Sequence, residues 1–98
     1  MLREKLKELR EAKGLLQRQV AAELDVDTAY VSKMENYDKP VSKAYLSKLA
    51  GLYGVDPKVL FTLWLADKVY DVVKDQELAL EAMEVAKKEI NNNRKQLV

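Results

Sequence analysis

The sequence predicts an all-α chain. Apolar residues recur at helical spacing through most of its length, and no stretch alternates apolar and polar residues as a strand does. Gly14, Pro40, Gly54 and Pro57 fall at the breaks between periodic segments, where a helix stops or restarts.

Leu2, Leu6, Leu9 and Ala12 recur at i, i+4, i+7 and i+10, giving a first helix that Gly14 ends. Gln17–Leu24 is a second, with Val20, Ala21 and Leu24 on one face. Asp25-Val26-Asp27 breaks the pattern; Val26 offers an apolar plug, and Asp27 can cap the helix that follows. That third helix, Thr28–Asn36, turns Val31 and Met34 inward. Tyr37-Asp38-Lys39-Pro40 reads as a loop, because proline disfavours helix in the residue before it. Ser42 can cap a fourth helix, whose stripe is Leu46, Leu49, Ala50 and Tyr53. Asp56-Pro57 supplies a cap and a first-turn proline for a fifth.

The fifth helix carries too many apolar groups for one stripe. Val59, Leu60, Phe61, Leu63, Trp64, Leu65, Ala66, Val69, Tyr70, Val72 and Val73 surround it, so it needs cover on more than one side. A sixth helix is expected over about residues 76–90. Its apolar groups form one row of Ala79, Met83, Ala86 and Ile90, and an adjacent one of Leu78, Ala82 and Val85. The expected division is residues 1–65 as the main domain, 66–90 as a C-terminal helical extension, and 91–98 as a flexible polar tail.

Composition narrows the chemistry. At 98 residues the chain suits one domain with its own core. It has no Cys and no His, which removes disulfides, thiolate sites and Ser-His or Cys-His catalysis, and makes zinc sites and a neutral-pH general base unexpected. Its carboxylates sit on charged helices and read as solvated faces, so no enzyme activity, metal or cofactor is expected. No apolar run nears the roughly 20 residues that span a membrane, and the N-terminus reads as an amphipathic helix and not a signal peptide. A cytoplasmic protein is expected. Net charge is only +1, so any positive face must come from segregated charge and not from a surplus.

Two short helices joined by a tight turn, the second with a polar outer face, are the outline of a DNA-reading helix-turn-helix. Ala29 and Lys33 lie most nearly opposite Val31 and Met34; Ser32, Asn36 and Tyr30 flank them, and Thr28 is in the first turn. An ordinary solvated helix face has the same spacing. This one, however, carries one ammonium among a hydroxyl, a methyl, a phenol and an amide, not the usual Glu–Lys mixture. Such groups suit base edges: Lys33 to guanine acceptors, Ala29 or the Thr28 methyl to a thymine methyl, Ser32 to donor or acceptor. Gln17, at the start of the second helix, stands where N–H groups attract phosphate. Lys39 and Lys43 are candidate phosphate contacts, and Tyr30 borders the same surface. Glu35 lies toward the inward side of its helix, where Arg10 can meet it as a structural pair.

Residues 2 to about 65 resemble the phage repressor and Cro family of DNA-binding domains, often called XRE. The residues that carry this are Leu6, Leu9, Arg10, Gly14, Leu15, Gln17, Val20, Ala21, Leu24, Val26, Val31, Ser32, Met34, Glu35 and Asn36. Leu46, Leu49, Ala50 and Gly54-Val55 through Leu60 continue it. The resemblance implies a five-helix, lambda-repressor-like domain that dimerises on a roughly palindromic operator. It implies Thr28, Ala29, Ser32 and Lys33 as base readers, Gln17 and Asn36 on phosphate, and Arg10–Glu35 as structural. Three positions depart from the family pattern: Asp25 for the usual turn Gly, Leu16 for a capping Asn, Ser or Thr, and Tyr37 for the Gly that follows Glu-Asn.

The expected function is a sequence-specific transcription regulator, a homodimer on a double-stranded DNA operator. Phe61, Trp64, Leu65, Val69, Tyr70 and Val73 are the expected dimer surface. The alternative is a restriction-modification controller or antitoxin-type regulator whose apolar C-terminal helices bind a protein partner.

Overall fold

Leu6, Val20, Val31, Leu46, Leu49 and Leu60 are the largest side chains wholly removed from solvent, and each comes from a different helix or a different turn of one. In the computed structural model, which describes residues 1–36 and 40–96, they meet in one core. Among the described residues the elements are α1 (Leu2–Ala12), α2 (Gln17–Leu24), α3 (Thr28–Asn36), a 3-10 turn (Lys43–Tyr45), α4 (Leu46–Tyr53), α5 (Pro57–Val73) and α6 (Ala79–Gln96). No strand occurs among them. The all-α expectation holds. α2 and α1 both pack on α3, so the helix with the polar outer face is held from behind by two others. Full burial of one leucine contributes about 1.5–3 kcal/mol, and Leu60 is the one fully buried residue of α5.

The helix ends follow local chemistry. Asp27 Oδ1 accepts from Tyr30 N at 2.8 Å, and Asp56 Oδ1 from Lys58 N at 2.9 Å. Gly54 ends α4 in the left-handed region, φ 68°. Ser42 caps the 3-10 turn that precedes α4 and not α4 itself; its Oγ accepts from Ala44 N at 3.4 Å. α6 begins at Ala79, later than the expected Gln76, and continues through Asn91–Gln96, which polarity alone marked as tail. Glu81 in its first turn and Arg94 and Lys95 in its last complement the helix dipole at both ends.

The chain divides into two compact units, residues 1–68 and 69–98. The first holds the core. In the second, every described side chain of α6 except Ala79 is exposed. None of the described helices is long and apolar enough to cross a membrane.

Asp25 is the one described non-glycine residue with positive φ, at 56° and ψ 47°. It sits in the turn between α2 and α3, the position the sequence marked as a departure. The left-handed region costs a side chain with a Cβ about 1–2 kcal/mol, less for Asp than for most. Asp25→Gly is expected to raise unfolding stability by about 0.5–1 kcal/mol in denaturant titration. A loss of stability would show the turn to be unstrained.

Candidate nucleic-acid interface

The site is built on a buried ion pair. Arg10 of α1 donates from Nε to both Glu35 oxygens, at 3.1 and 2.8 Å, and from Nη1 to Leu15 O at 2.9 Å. Gln17 of α2 donates from Nε2 to Glu35 Oε1 at 3.2 Å. The Glu35 side chain has no exposed surface and that of Arg10 only 11%. A carboxylate so placed is tolerable only because these partners satisfy it. The hydrogen bonds to Glu35 hold the Arg10 guanidinium above its usual range against the opposing effect of burial. One acidic side chain thus ties α1 and the start of α2 to the back of α3.

Tyr53 of α4 lies behind this pair, 2% exposed, and its hydroxyl has no hydrogen-bond partner among the described protein atoms. Burial, and then the Glu35 charge, push its pKa up to about 12 from the ordinary 10. The folded state therefore keeps a proton that the unfolded chain releases near pH 10. The resulting stability is intact below pH 10 and falls as pH rises toward 12. Tyr53→Phe is expected to stabilise by about 1 kcal/mol and to flatten the unfolding curve between those pH values. An unchanged alkaline slope would place the titrating group elsewhere.

The turn aims α3. Val26, half-buried, donates from N to Ala21 O at 3.0 Å and packs against the core, while Val31 and Met34 are buried. The opposite face is open: Thr28, Ala29, Lys33 and Asn36 are exposed and Ser32 is half-exposed. Asn36 Nδ2 lies 3.4 Å from Ser32 Oγ, so an amide and a hydroxyl one turn apart already touch. Among the described residues of α3, Lys33 is the sole positive charge. The start of α2 has lost its side-chain cap, because Leu16 has no acceptor. The reciprocal half remains: Gln19 Oε1 accepts from Leu16 N at 2.7 Å.

Other expected site residues have protein partners of their own. Gln17 is half-buried and spends an amide N–H on Glu35. Tyr30 packs on the core with its ring 5.5 Å from that of Tyr45, edge to face. This stack seats the 3-10 turn beside α3. Lys43 on that turn carries its ammonium 5.6 Å from the Trp64 ring and 5.8 Å from Phe61, so its charge rests over aromatic faces. Lys39 and Tyr37 lie outside the described residues. Trp64 and Phe61 are half-buried against their own core, and Trp64 Nε1 donates to Val41 O at 2.8 Å. Leu65, Val69 and Tyr70 are exposed, and Val73 is half-exposed.

Two residues in α5 have roles that sequence reasoning did not find. Lys68 places its ammonium 4.4 Å from the Trp64 ring centroid, beside Lys43. Asp67 Oδ2 accepts from Leu2 N at 2.9 Å and so caps α1 from a helix 65 residues away. No local pattern encodes a cap supplied over that distance.

A short helix with a mixed polar face, docked across a tight turn on a second helix and braced from behind, defines a DNA-binding helix-turn-helix. The family model for the helix-turn-helix matches residues 6–60, more than half of the chain. The chain belongs to that family, in its XRE type, and is a DNA-binding transcription regulator. No curated protein and no solved structure matches it.

Proposed function

We propose that the chain acts as a homodimer that reads a roughly palindromic operator in the major groove, each subunit inserting α3. The observation that carries this is the outer face of α3: exposed, nearly uncharged and fixed in direction by the buried Glu35. Thr28, Ala29, Ser32 and Lys33 are the base readers. Ala29 and the Thr28 methyl suit a thymine methyl, and Lys33 suits guanine acceptors. Asn36, Tyr30 and the outward N–H groups at Gln17 suit backbone phosphate, with Lys43 and Lys39 on the following segment. Gln17 would serve as a bridge through its amide nitrogen, one N–H on Glu35 and the second free to donate to phosphate.

Two-fold operators need a two-fold protein. The exposed Leu65, Val69 and Tyr70, with Val73, support a subunit interface at α5. Phe61 and Trp64 would border it while still packing on their own core. Residues 66–90 then supply dimerisation and set half-site spacing. Regulation follows from occupancy, blocking or recruiting polymerase according to where the operator lies. The same apolar surface favours a second reading, a controller or antitoxin-type regulator that binds another protein. Light scattering separates the two: a clean dimer supports the first, an aggregating monomer the second.

Lys33→Ala is expected to cost about 1–3 kcal/mol of operator affinity and to relax one base position per half-site in a randomised-site selection. An unchanged selected sequence would remove Lys33 from the reading set.

A further inference from the structure

The described side chains of α6 are exposed at every position but Ala79. Leu80 is 74% exposed, Ile90 53% and Met83 42%. Helices gain most of their stability from burying an amphipathic face, and this one contains the weak helix-forming run Asn91-Asn92-Asn93. Yet the apolar residues are ordered. Ala79, Met83, Ala86, Ile90 and Asn93 follow one another at alternating steps of four and three, the spacing of a coiled-coil seam. The other apolar row, Leu78, Ala82 and Val85, stops at Glu89.

We propose that α6 pairs with α6 of a second copy of this chain as a short, parallel, in-register coiled coil with the Ala79–Asn93 row as its seam. This rests on the homodimer reading and adds the direction and register of the pairing. Two features of the seam select both. In register, Asn93 meets its own mate, and each amide offers the donor that the other's carbonyl accepts. An antiparallel pair sets Asn93 opposite the alanine end of the row, where no side chain can bond it. Glu89 and Arg94 flank the seam on opposite sides, and both are exposed. Parallel alignment brings Glu89 of one chain to Arg94 of the other, twice by symmetry, whereas the antiparallel alignment sets Glu89 beside Ala82 and Arg94 beside Leu80, and the pair is lost. Ala79 and Ala86 allow close approach, with Met83 and Ile90 filling the layers between. A polar residue in the seam sacrifices some stability and fixes register.

The chain lacks cysteine, so single-cysteine variants of the full chain test the arrangement. Under mild oxidation Asn93→Cys is expected to give mostly disulfide-linked dimer, and Lys88→Cys, on the far side of α6, almost none. In sedimentation, Glu89→Arg is expected to weaken the dimer several-fold, and Glu89→Arg with Arg94→Glu to restore it within about twofold. A dimeric wild type in which Asn93→Cys does not link and Glu89→Arg has no effect overturns the α6 pairing and leaves the homodimer standing. Linkage of Ala79→Cys with Asn93→Cys, but not of Asn93→Cys with itself, makes the pair antiparallel and overturns it too. A monomeric wild type overturns both readings.

Discussion

Arg10→Met is expected to destabilise the protein by about 3–5 kcal/mol, because it leaves the Glu35 carboxylate buried with the Gln17 amide as its one remaining side-chain partner among the described residues. Small domains are stable by only about 5–15 kcal/mol, so the variant would keep at best a fraction of its margin. At about 4–8 °C per kcal/mol for a domain of this size, the melting midpoint should fall by roughly 12–40 °C. Arg10→Met with Glu35→Leu should recover most of the loss, since an apolar pair of similar volume is often neutral or stabilising. The double variant still leaves the Gln17 amide and the Leu15 carbonyl without those partners, so full recovery is not expected. A single variant that costs less than about 1 kcal/mol would mean that Glu35 is not held as the geometry describes. The pair ties α1 and the start of α2 to the back of α3.

The second large effect leaves the fold alone. Ala29→Glu places a carboxylate in the middle of the proposed reading face, where like charge against phosphate and base acceptors costs several kcal/mol. Operator affinity should fall at least about 100-fold, with 1.4 kcal/mol for each tenfold. Stability should hold or rise slightly, because Ala29 is exposed in the first turn of α3, where a carboxylate complements the helix dipole. Binding lost with the melting midpoint unchanged separates reading from folding, which Arg10→Met cannot do. Retained affinity in Ala29→Glu would move the interface away from α3.

Much of this was legible in the sequence because it is local. Periodicity located α1 to α5, and the caps at Asp27 and Asp56 lie within three residues of the N–H groups they bind. The left-handed Asp25 was legible only through the family resemblance, as the residue at the position where relatives carry the turn Gly. Glu35 as a buried partner of Arg10 was also readable, since a carboxylate on the inward side of an amphipathic helix demands a cation. Other features needed three-dimensional contact. Asp67 caps α1 across the length of the first unit, and Lys43 and Lys68 converge on Trp64 from separate elements. The full length of α6 was missed because polar residues at a helix end look like a tail until their dipole complement is counted. The outer face of α3 is placed, but which base each side chain meets depends on a partner whose sequence this chain does not contain.

Specific, two-subunit reading of DNA by α3 is tested most directly by a gel shift over a salt series on DNA upstream of the chain's own gene. The expected result is a complex that resists non-specific competitor, weakens steeply as salt rises and is absent with Ala29→Glu. A complex indifferent to salt, one that competitor removes at every concentration, or none at all would contradict it.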